Sequence, residues 1–377
     1  MENYTDPVDG REYSLAKPRW RSDAGRPLWI DPGPGITRSD IDTSINSLWR
    51  YHCALPVKIH TPISLGEGRT PLIEADWESR SRVLLKLDFL NPSGSFKDRG
   101  TSVLFSYLRQ KGITSVLEDS SGNGGSSAAA YGAAGGLDVK VFAPASTSPS
   151  KISQVKAYGA KVELVPGPRS ASQDEAIRQS ERKGFYASHN WQPFFLQGTK
   201  TLAYEIWEDL GFQVPDNVIV PVGGGSSLLG CWLGFQELVN SNQIASMPRL
   251  FAAQPLNCSP VDASFVSGTD KPAQRPVRPT IAEGASISRP LRLEQMIAAL
   301  RTTRGGSVAV TESNIVRALG YLCDRGLFVE PTSAVAAAAF SLLLAEGRIT
   351  RGENTVVLLT GSGLKSAQTA ADLLGRS

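Results

Sequence analysis

The chain has 377 residues, 41% of them hydrophobic and 20% charged, and a formal net charge of +3, which is room for two lobes with substantial cores and the balance of an ordinary globular protein. No basic run invites nucleic acid or an anionic membrane surface, and no apolar stretch reaches the length of a membrane span. The acidic start Met1-Glu-Asn-Tyr-Thr-Asp6 lacks the apolar core of a signal peptide, so the expectation is a cytoplasmic enzyme.

Cys53, Cys231, Cys258 and Cys323 are far apart and form no CxxC pair, which reads as isolated thiols and not as a disulfide framework. His52, His60 and His189 show no HxxxH spacing, so no metal site is expected.

Residues 1–50 are rich in Pro, Gly and Asp and weakly periodic, which predicts an irregular arm. From Val83 the signals alternate. Strands are expected at Val83–Leu87, Thr114–Glu118, Val139–Ala143, Lys161–Val165, Asn217–Val222, Arg249–Ala253 and Asn354–Leu359. Helices are expected at Thr101–Arg109, Ser126–Ala134, Ser150–Tyr158, Leu228–Phe235 and Ser333–Leu344. Short apolar strands alternating with helices specify an α/β fold with parallel sheets covered on both faces. The Pro- and Gln-containing stretch Ser264–Thr280 reads as a loop, and no internal repeat is visible.

Four segments carry chemistry. In Asn91-Pro-Ser-Gly-Ser-Phe-Lys-Asp-Arg-Gly100, Lys97 stands between a small-residue turn and a helix. Backbone dipoles there favour the neutral amine, as a Schiff-base lysine requires, although a solvated surface lysine fits the same decapeptide. Ser120-Ser-Gly-Asn-Gly124 lies between a strand and a helix and reads either as a capping turn or as a carboxylate site. In Pro221-Val-Gly-Gly-Gly-Ser-Ser227 the glycines follow a strand and open a helix, a setting for a phosphate as well as for a plain tight turn. Thr360, in Leu359-Thr-Gly-Ser-Gly363, ends a buried-looking strand.

In this order, with Leu65-Gly-Glu-Gly-Arg-Thr-Pro-Leu72 ahead of them, these segments resemble the tryptophan-synthase-β-like (fold type II) family of pyridoxal-phosphate enzymes, and most closely the threonine synthases. The similarity runs over nearly the whole chain. It implies a two-lobed architecture, each lobe a mostly parallel sheet flanked by helices: an arm at 1–50, a large cofactor-binding lobe at 51–87 plus 191–377, and a smaller inserted lobe at 88–190. It implies pyridoxal 5′-phosphate as cofactor, a small amino-acid substrate and a homodimer. It makes Lys97 the cofactor-bearing amine and catalytic base, and puts Asn123 on the phenolic oxygen. Gly223, Gly224, Gly225, Ser226 and Ser227 would hold the 5′-phosphate. Thr360 would face the pyridine nitrogen, where a hydroxyl in place of a carboxylate makes a milder electron sink suited to elimination. Ser120, Ser121 and Gly122 would take the substrate carboxylate, with Lys200 near the substrate. Glu283 and Glu330 also stand in family-like contexts, Glu330 as a favourable charge at a helix start.

Several positions depart from that pattern. Asp6, Asp9, Arg21 and Ala24 stand roughly where many threonine-synthase relatives carry zinc-ribbon cysteines, and without thiolates no tetrahedral zinc site forms. Phe195 replaces an arginine that grips the substrate phosphate, and a neutral ring makes no charge-assisted bond to phosphate. Gly124 replaces a threonine, and the Gly-Gly-Gly-Ser loop looks like that of serine/threonine dehydratases. The implied function is a pyridoxal-phosphate-dependent lyase of threonine-synthase type, which eliminates and then adds water to turn O-phospho-L-homoserine into L-threonine. The alternative is a serine/threonine dehydratase-type ammonia-lyase or β-replacement enzyme. A non-catalytic cofactor-binding protein is the reading of another class, disfavoured by the joint presence of Lys97, Asn123 and Thr360.

Overall fold

The computed structural model describes residues 3–77, 81–147 and 149–376, so Met1 and Glu2 of the expected arm lie outside the described residues. In chain order the first half carries β1 (Asn3–Thr5), β2 (Glu12–Ser14), β3 (Leu72–Trp77), β4 (Ser81–Lys86), α1 (Lys97–Gln110), β5 (Ser115–Glu118), α2 (Asn123–Gly135), β6 (Asp138–Pro144), α3 (Pro149–Ala157), β7 (Lys161–Val165), α4 (Arg169–Ser180) and β8 (Phe185–Tyr186). There follow α5 (Pro193–Thr199), α6 (Thr201–Asp209), β9 (Asn217–Pro221), α7 (Ser226–Asn240), β10 (Arg249–Pro255), α8 (Pro260–Val266), α9 (Leu293–Thr302), β11 (Gly306–Val310), α10 (Glu312–Cys323), α11 (Pro331–Ala345), β12 (Thr355–Leu358) and α12 (Ala367–Leu373).

The chain divides into two compact units. The first comprises Met1–Arg69, Asn91–Ser93 and Lys97–Thr201; the second comprises Thr70–Leu90, Gly94–Phe96 and Leu202–Ser377.

In the first unit an all-parallel sheet runs in the order β7-β6-β5-β8. Val116, Val139 and Val141 of its strands are buried with Val103, Leu104 and Leu108 of α1 and Ala128, Ala129 and Ala130 of α2. Apolar, β-branched strands covered by helices are what parallel pairing requires. The arm belongs to this unit: β1 and β2 pair antiparallel, and Tyr4 is fully buried with its hydroxyl 2.9 Å from that of Tyr107. Where the ribbon-like surroundings lack thiols, the buried carboxylate of Asp6 accepts from Arg26 Nε at 2.8 Å, and Arg26 also contacts Asp9. An ion pair therefore ties the two turns of the arm together.

In the second unit six strands run in the order β11-β10-β9-β12-β4-β3, all parallel except β3, which pairs antiparallel with β4 at the edge. Val218, Ile219 and Val220 of β9 are fully buried, as a central strand covered on both faces demands. A buried ion cluster sits in this interior: Lys86 Nζ on β4 lies 2.7 Å from Glu205 and 2.7 Å from Asp209, and donates to the Thr70 carbonyl at 2.6 Å. An interior ammonium is sustained only with such full partnering.

The α/β architecture with helix-flanked parallel sheets matches the expectation, and β7 coincides with its expected bounds. Several helices start earlier than their apolar periodicity indicates, among them α1 at Lys97 and α2 at Asn123, whose first turns are made of the polar and glycine residues of the candidate site. The loop expectation after Ser264 holds beyond α8: residues 267–282 contain no helix or strand.

Candidate active site

Candidate residues occur in both units. In the first unit, the turn before α1 is set by Asp98, whose carboxylate accepts from the Ser93 amide at 2.6 Å. Lys97, half-buried, is the first residue of the helix. α5 crosses α1 closely enough that a Cβ on Gly198 would lie 2.1 Å from the Arg99 carbonyl, and one on Gly100 would lie 2.6 Å from the Phe195 ring. Phe195 is therefore a buried ring seated on Gly100.

The other wall is built where β5 ends. Glu118 and Asp119 close the strand, Ser120, Ser121 and Gly122 turn the chain, and Asn123 opens α2. The turn is tight: a Cβ on Gly125 would lie 1.9 Å from the Ser120 carbonyl oxygen. The amides at this helix start carry partial positive charge and suit an anion. Over them lies His189. Its Nδ1 is 3.1 Å from Glu118 Oε1, and its main-chain amide donates to Glu118 Oε2 at 3.3 Å. A Cβ on Gly124 would lie 2.7 Å from the same Nδ1, so the imidazole occupies the space a side chain at 124 would need. The His189 and Phe195 rings are 5.7 Å apart.

Burial dominates the electrostatics of this wall. It pushes the Glu118 carboxyl up to about 7, and burial together with the neighbouring Glu118 charge raises Asp119. Burial and then the Lys97 charge push the His189 imidazole well below its ordinary range. The group is thus a neutral imidazole held by a carboxyl poised near neutrality. Lys200 is buried, with Nζ donating to the Ala54 carbonyl at 2.7 Å; that bond is a tie to the main chain of the arm side of the unit.

In the second unit, β9 ends at Pro221 and α7 begins at Ser226, capped by Gly225 in the left-handed region with φ +86°. A Cβ on Gly225 would lie 2.1 Å from Met296 Sδ, and one on Gly223 would lie 2.7 Å from the Gly284 carbonyl oxygen. Glycine is thus demanded at both ends of the loop, with Gly224 partly exposed between them. Ser226 and Ser227 are buried in the first turn of α7, and Ser227 Oγ has no hydrogen-bond partner among the described residues.

Thr360 follows β12 and is buried. Its Oγ1 is 3.2 Å from Ser333 Oγ, and that same oxygen accepts from the Thr360 amide at 3.0 Å and the Gly361 amide at 2.9 Å. The Glu330 carboxyl packs over Gly361, where a Cβ would lie 2.3 Å from its Oε1. The turn Gly94–Phe96 runs alongside: the Phe96 amide donates to the Thr360 carbonyl and the Ser362 amide to the Gly94 carbonyl, each at 2.9 Å. Glu283 opens the turn whose Gly284 carbonyl faces Gly223.

Sequence reasoning missed Ser333, Met296 and the Glu118–Asp119 pair. The first two are ordinary helix residues by type. The acidic pair carried one usable signal, since residues just past the carboxyl end of a parallel strand face the ligand crevice of such sheets.

A family model described as "Pyridoxal-phosphate dependent enzyme" matches residues 63–361. Threonine synthase of Methanocaldococcus jannaschii is 36% identical over 332 residues, 86% of this chain and 82% of that protein. Threonine synthase of Methanosarcina acetivorans is 30% identical over 344 residues, 90% of this chain and 85% of that protein. Among solved structures, a T.th. threonine deaminase is similar at TM-score 0.66 with 27% identity, covering 78% of this chain and 92% of that one. The Solanum lycopersicum threonine deaminase isoform 2 superposes at TM-score 0.72 over the whole of both chains, and at 21% identity it shows the fold alone. The residues present fit the cofactor of that family: the loop after β9 is a cradle that side chains at 223 or 225 would fill, and the buried Ser227 hydroxyl in the first turn of α7 has no hydrogen-bond partner among the described residues.

Proposed function

The chain belongs to the pyridoxal-phosphate dependent enzymes, and from that premise we propose a lyase that runs threonine-synthase chemistry, eliminating the side-chain phosphate of O-phospho-L-homoserine and adding water to give L-threonine. The observation that carries this reading is the 36% identity to a threonine synthase over 86% of the chain.

Bound pyridoxal 5′-phosphate supplies the electron sink for charge leaving the α-carbon. In this reading Lys97 holds the cofactor and, once displaced by the substrate amine, moves the α-proton as general base. The amides of Ser120, Ser121 and Gly122 and the side chain of Asn123 orient the substrate carboxylate and the cofactor ring from the start of α2. Gly223, Gly224, Gly225, Ser226 and Ser227 hold the 5′-phosphate on the dipole of α7. The Thr360 hydroxyl, fixed by Ser333, meets the ring nitrogen without protonating it. Lys200, engaged with the Ala54 carbonyl, supports the substrate wall from behind. A cytoplasmic homodimer is part of the same proposal.

A second reading, a serine/threonine dehydratase-type ammonia-lyase, is favoured by one observation: Phe195 is buried on Gly100, leaving no guanidinium at that place for a substrate phosphate. Parallel turnover of the cofactor-loaded protein separates the two. Threonine and phosphate from O-phospho-L-homoserine support the first; a 2-oxoacid from L-serine or L-threonine, with no phosphate released, replaces it by the second.

A further inference from the structure

A buried imidazole stands over the start of α2 and has no part in the roles assigned so far. Three features define it. Glu118 accepts from the main-chain amide of His189 at 3.3 Å and from that of Asp119 at 3.2 Å, with Oε1 also 3.1 Å from His189 Nδ1. A carboxylate that collects donors in this way assigns the Nδ1 proton to the Glu118 side and leaves Nε2 as the lone-pair nitrogen. Second, the ring is packed in place: it fills the space that a side chain at Gly124 would need, and Phe195 flanks it at 5.7 Å. Third, it stands on the turn that carries Asn123, within the electrostatic reach of Lys97.

We propose that His189, oriented by Glu118, is the residue that transfers the proton of the water or hydroxyl at the substrate's reacting side-chain carbon. The inference rests on the lyase reading above and deepens it. In the hydration half of the reaction the water oxygen forms the new carbon–oxygen bond. One water proton passes to His189 Nε2, and the other stays on the product hydroxyl. Lys97 returns its proton to the neighbouring carbon, and the imidazolium, balanced by Glu118, then gives its proton to the phosphate released in the same turnover. Where the substrate itself carries a hydroxyl, the path runs backwards from the imidazolium, which takes its second proton at Nε2 from solvent before the step: the carbon–oxygen bond breaks as Nε2–H protonates the leaving oxygen, and water departs. A neutral imidazole backed by a carboxylate is the arrangement that accepts a proton from water and stabilises the cation formed. The groups that bear on the ring are Glu118 at the end of β5 and Asp119 just after it, Lys97 on α1 and Arg169 on α4; the first two stabilise its protonated form and the last two oppose it.

The test uses His189→Asn and, as a second variant that keeps the ring in place, Glu118→Gln, both as cofactor-loaded protein above pH 7. Three quantities are followed: exchange of the substrate α-hydrogen with deuterated water, phosphate release, and product. Lys97 governs the exchange, so it persists in both variants. With O-phospho-L-homoserine, threonine formation falls by roughly 10²-fold or more in His189→Asn, while phosphate release continues and 2-oxoacid takes the place of threonine. Should the wild type act on L-serine or L-threonine instead, 2-oxoacid formation falls by the same factor while exchange persists. The proposal is overturned if threonine stays equimolar with phosphate in both variants. It is equally overturned if exchange, release and product fall in parallel, since that is the signature of a structural role. A wild type with neither exchange nor turnover removes the lyase reading itself, and this inference with it.

Discussion

The main-chain amide of Phe96 donates a 2.9 Å hydrogen bond to the carbonyl of Thr360. Phe96 directly precedes Lys97 in the chain, and Thr360 is the residue whose hydroxyl is proposed for the cofactor ring. Ser333 in turn holds the Thr360 and Gly361 amides on a single oxygen.

Ser333→Ala leaves those two buried amides without an acceptor. A cost of roughly 1–3 kcal/mol is expected for each, read as a lower urea midpoint. The visible absorbance of the lysine-bound cofactor should persist in Ser333→Ala, and vanish in Lys97→Ala. An unchanged midpoint in Ser333→Ala would show that water or a neighbouring hydroxyl replaces the serine at no cost.

Gly225→Ala asks a left-handed position, φ +86°, to carry a side chain that would meet Met296 Sδ. The backbone strain alone is worth about 1–3 kcal/mol, and the shifted loop should weaken cofactor retention in equilibrium dialysis. Adding Met296→Ala removes the clash but not the strain, so only part of the loss should return. Full recovery in the double variant would mean that the conformation at 225 is unimportant.

Gly124 and His189 compete for one volume, since a Cβ at 124 would lie 2.7 Å from Nδ1. Gly124→Thr is expected to cost about 1–3 kcal/mol through overpacking. The loss should shrink when His189→Ser is made alongside it, with a coupling of about 0.5–3 kcal/mol in the double-mutant cycle. Strict additivity would show that the ring moves aside freely.

Most of the fold and about half of the site are legible in the residues. Val218-Ile-Val and its fellow strands declare themselves by apolar runs between turn residues, and glycine at 225 by the conformation it alone adopts cheaply. The edge strand β3 and the two-residue β8 escape because neither is buried on both faces over any length. His189 is legible as a charge near the substrate beside Lys200, but not as the partner of Glu118. The two are 71 positions apart, and no periodicity links a strand end to a loop that meets it only in space. Phe195 is legible as a departure from the threonine-synthase pattern, but not as a ring seated on Gly100, for the same reason.

Glu118 and His189 make opposite demands on pH. Burial raises the folded Glu118 value to about 7 from an unfolded value of about 4.3, so its contribution to stability is present below the unfolded value and lost as pH rises through about 7. Burial and the Lys97 charge depress His189, so its contribution is present above an unfolded value of about 6.5 and lost as pH falls toward the folded one. Below about pH 6.5, for as long as the folded imidazole stays neutral and the unfolded carboxyl ionised, each state of the pair holds one proton, on Glu118 when folded and on His189 when unfolded, and the two slopes cancel. Glu118→Gln should therefore lose stability as pH falls below about 6.5, and His189→Asn as pH rises toward 7, each relative to the wild type and with Asp119, Lys97 and Arg169 unchanged. Urea midpoints across pH check this. Parallel curves for all three proteins would mean that the pair does not share its proton in this way.

Elimination followed by hydration at a site built on Lys97 is the central claim, and turnover of O-phospho-L-homoserine in oxygen-labelled water addresses it most directly. The account predicts L-threonine carrying one solvent oxygen for each phosphate released, and no product from Lys97→Ala. Intact O-phospho-L-homoserine beside a 2-oxoacid formed from L-serine or L-threonine would contradict it.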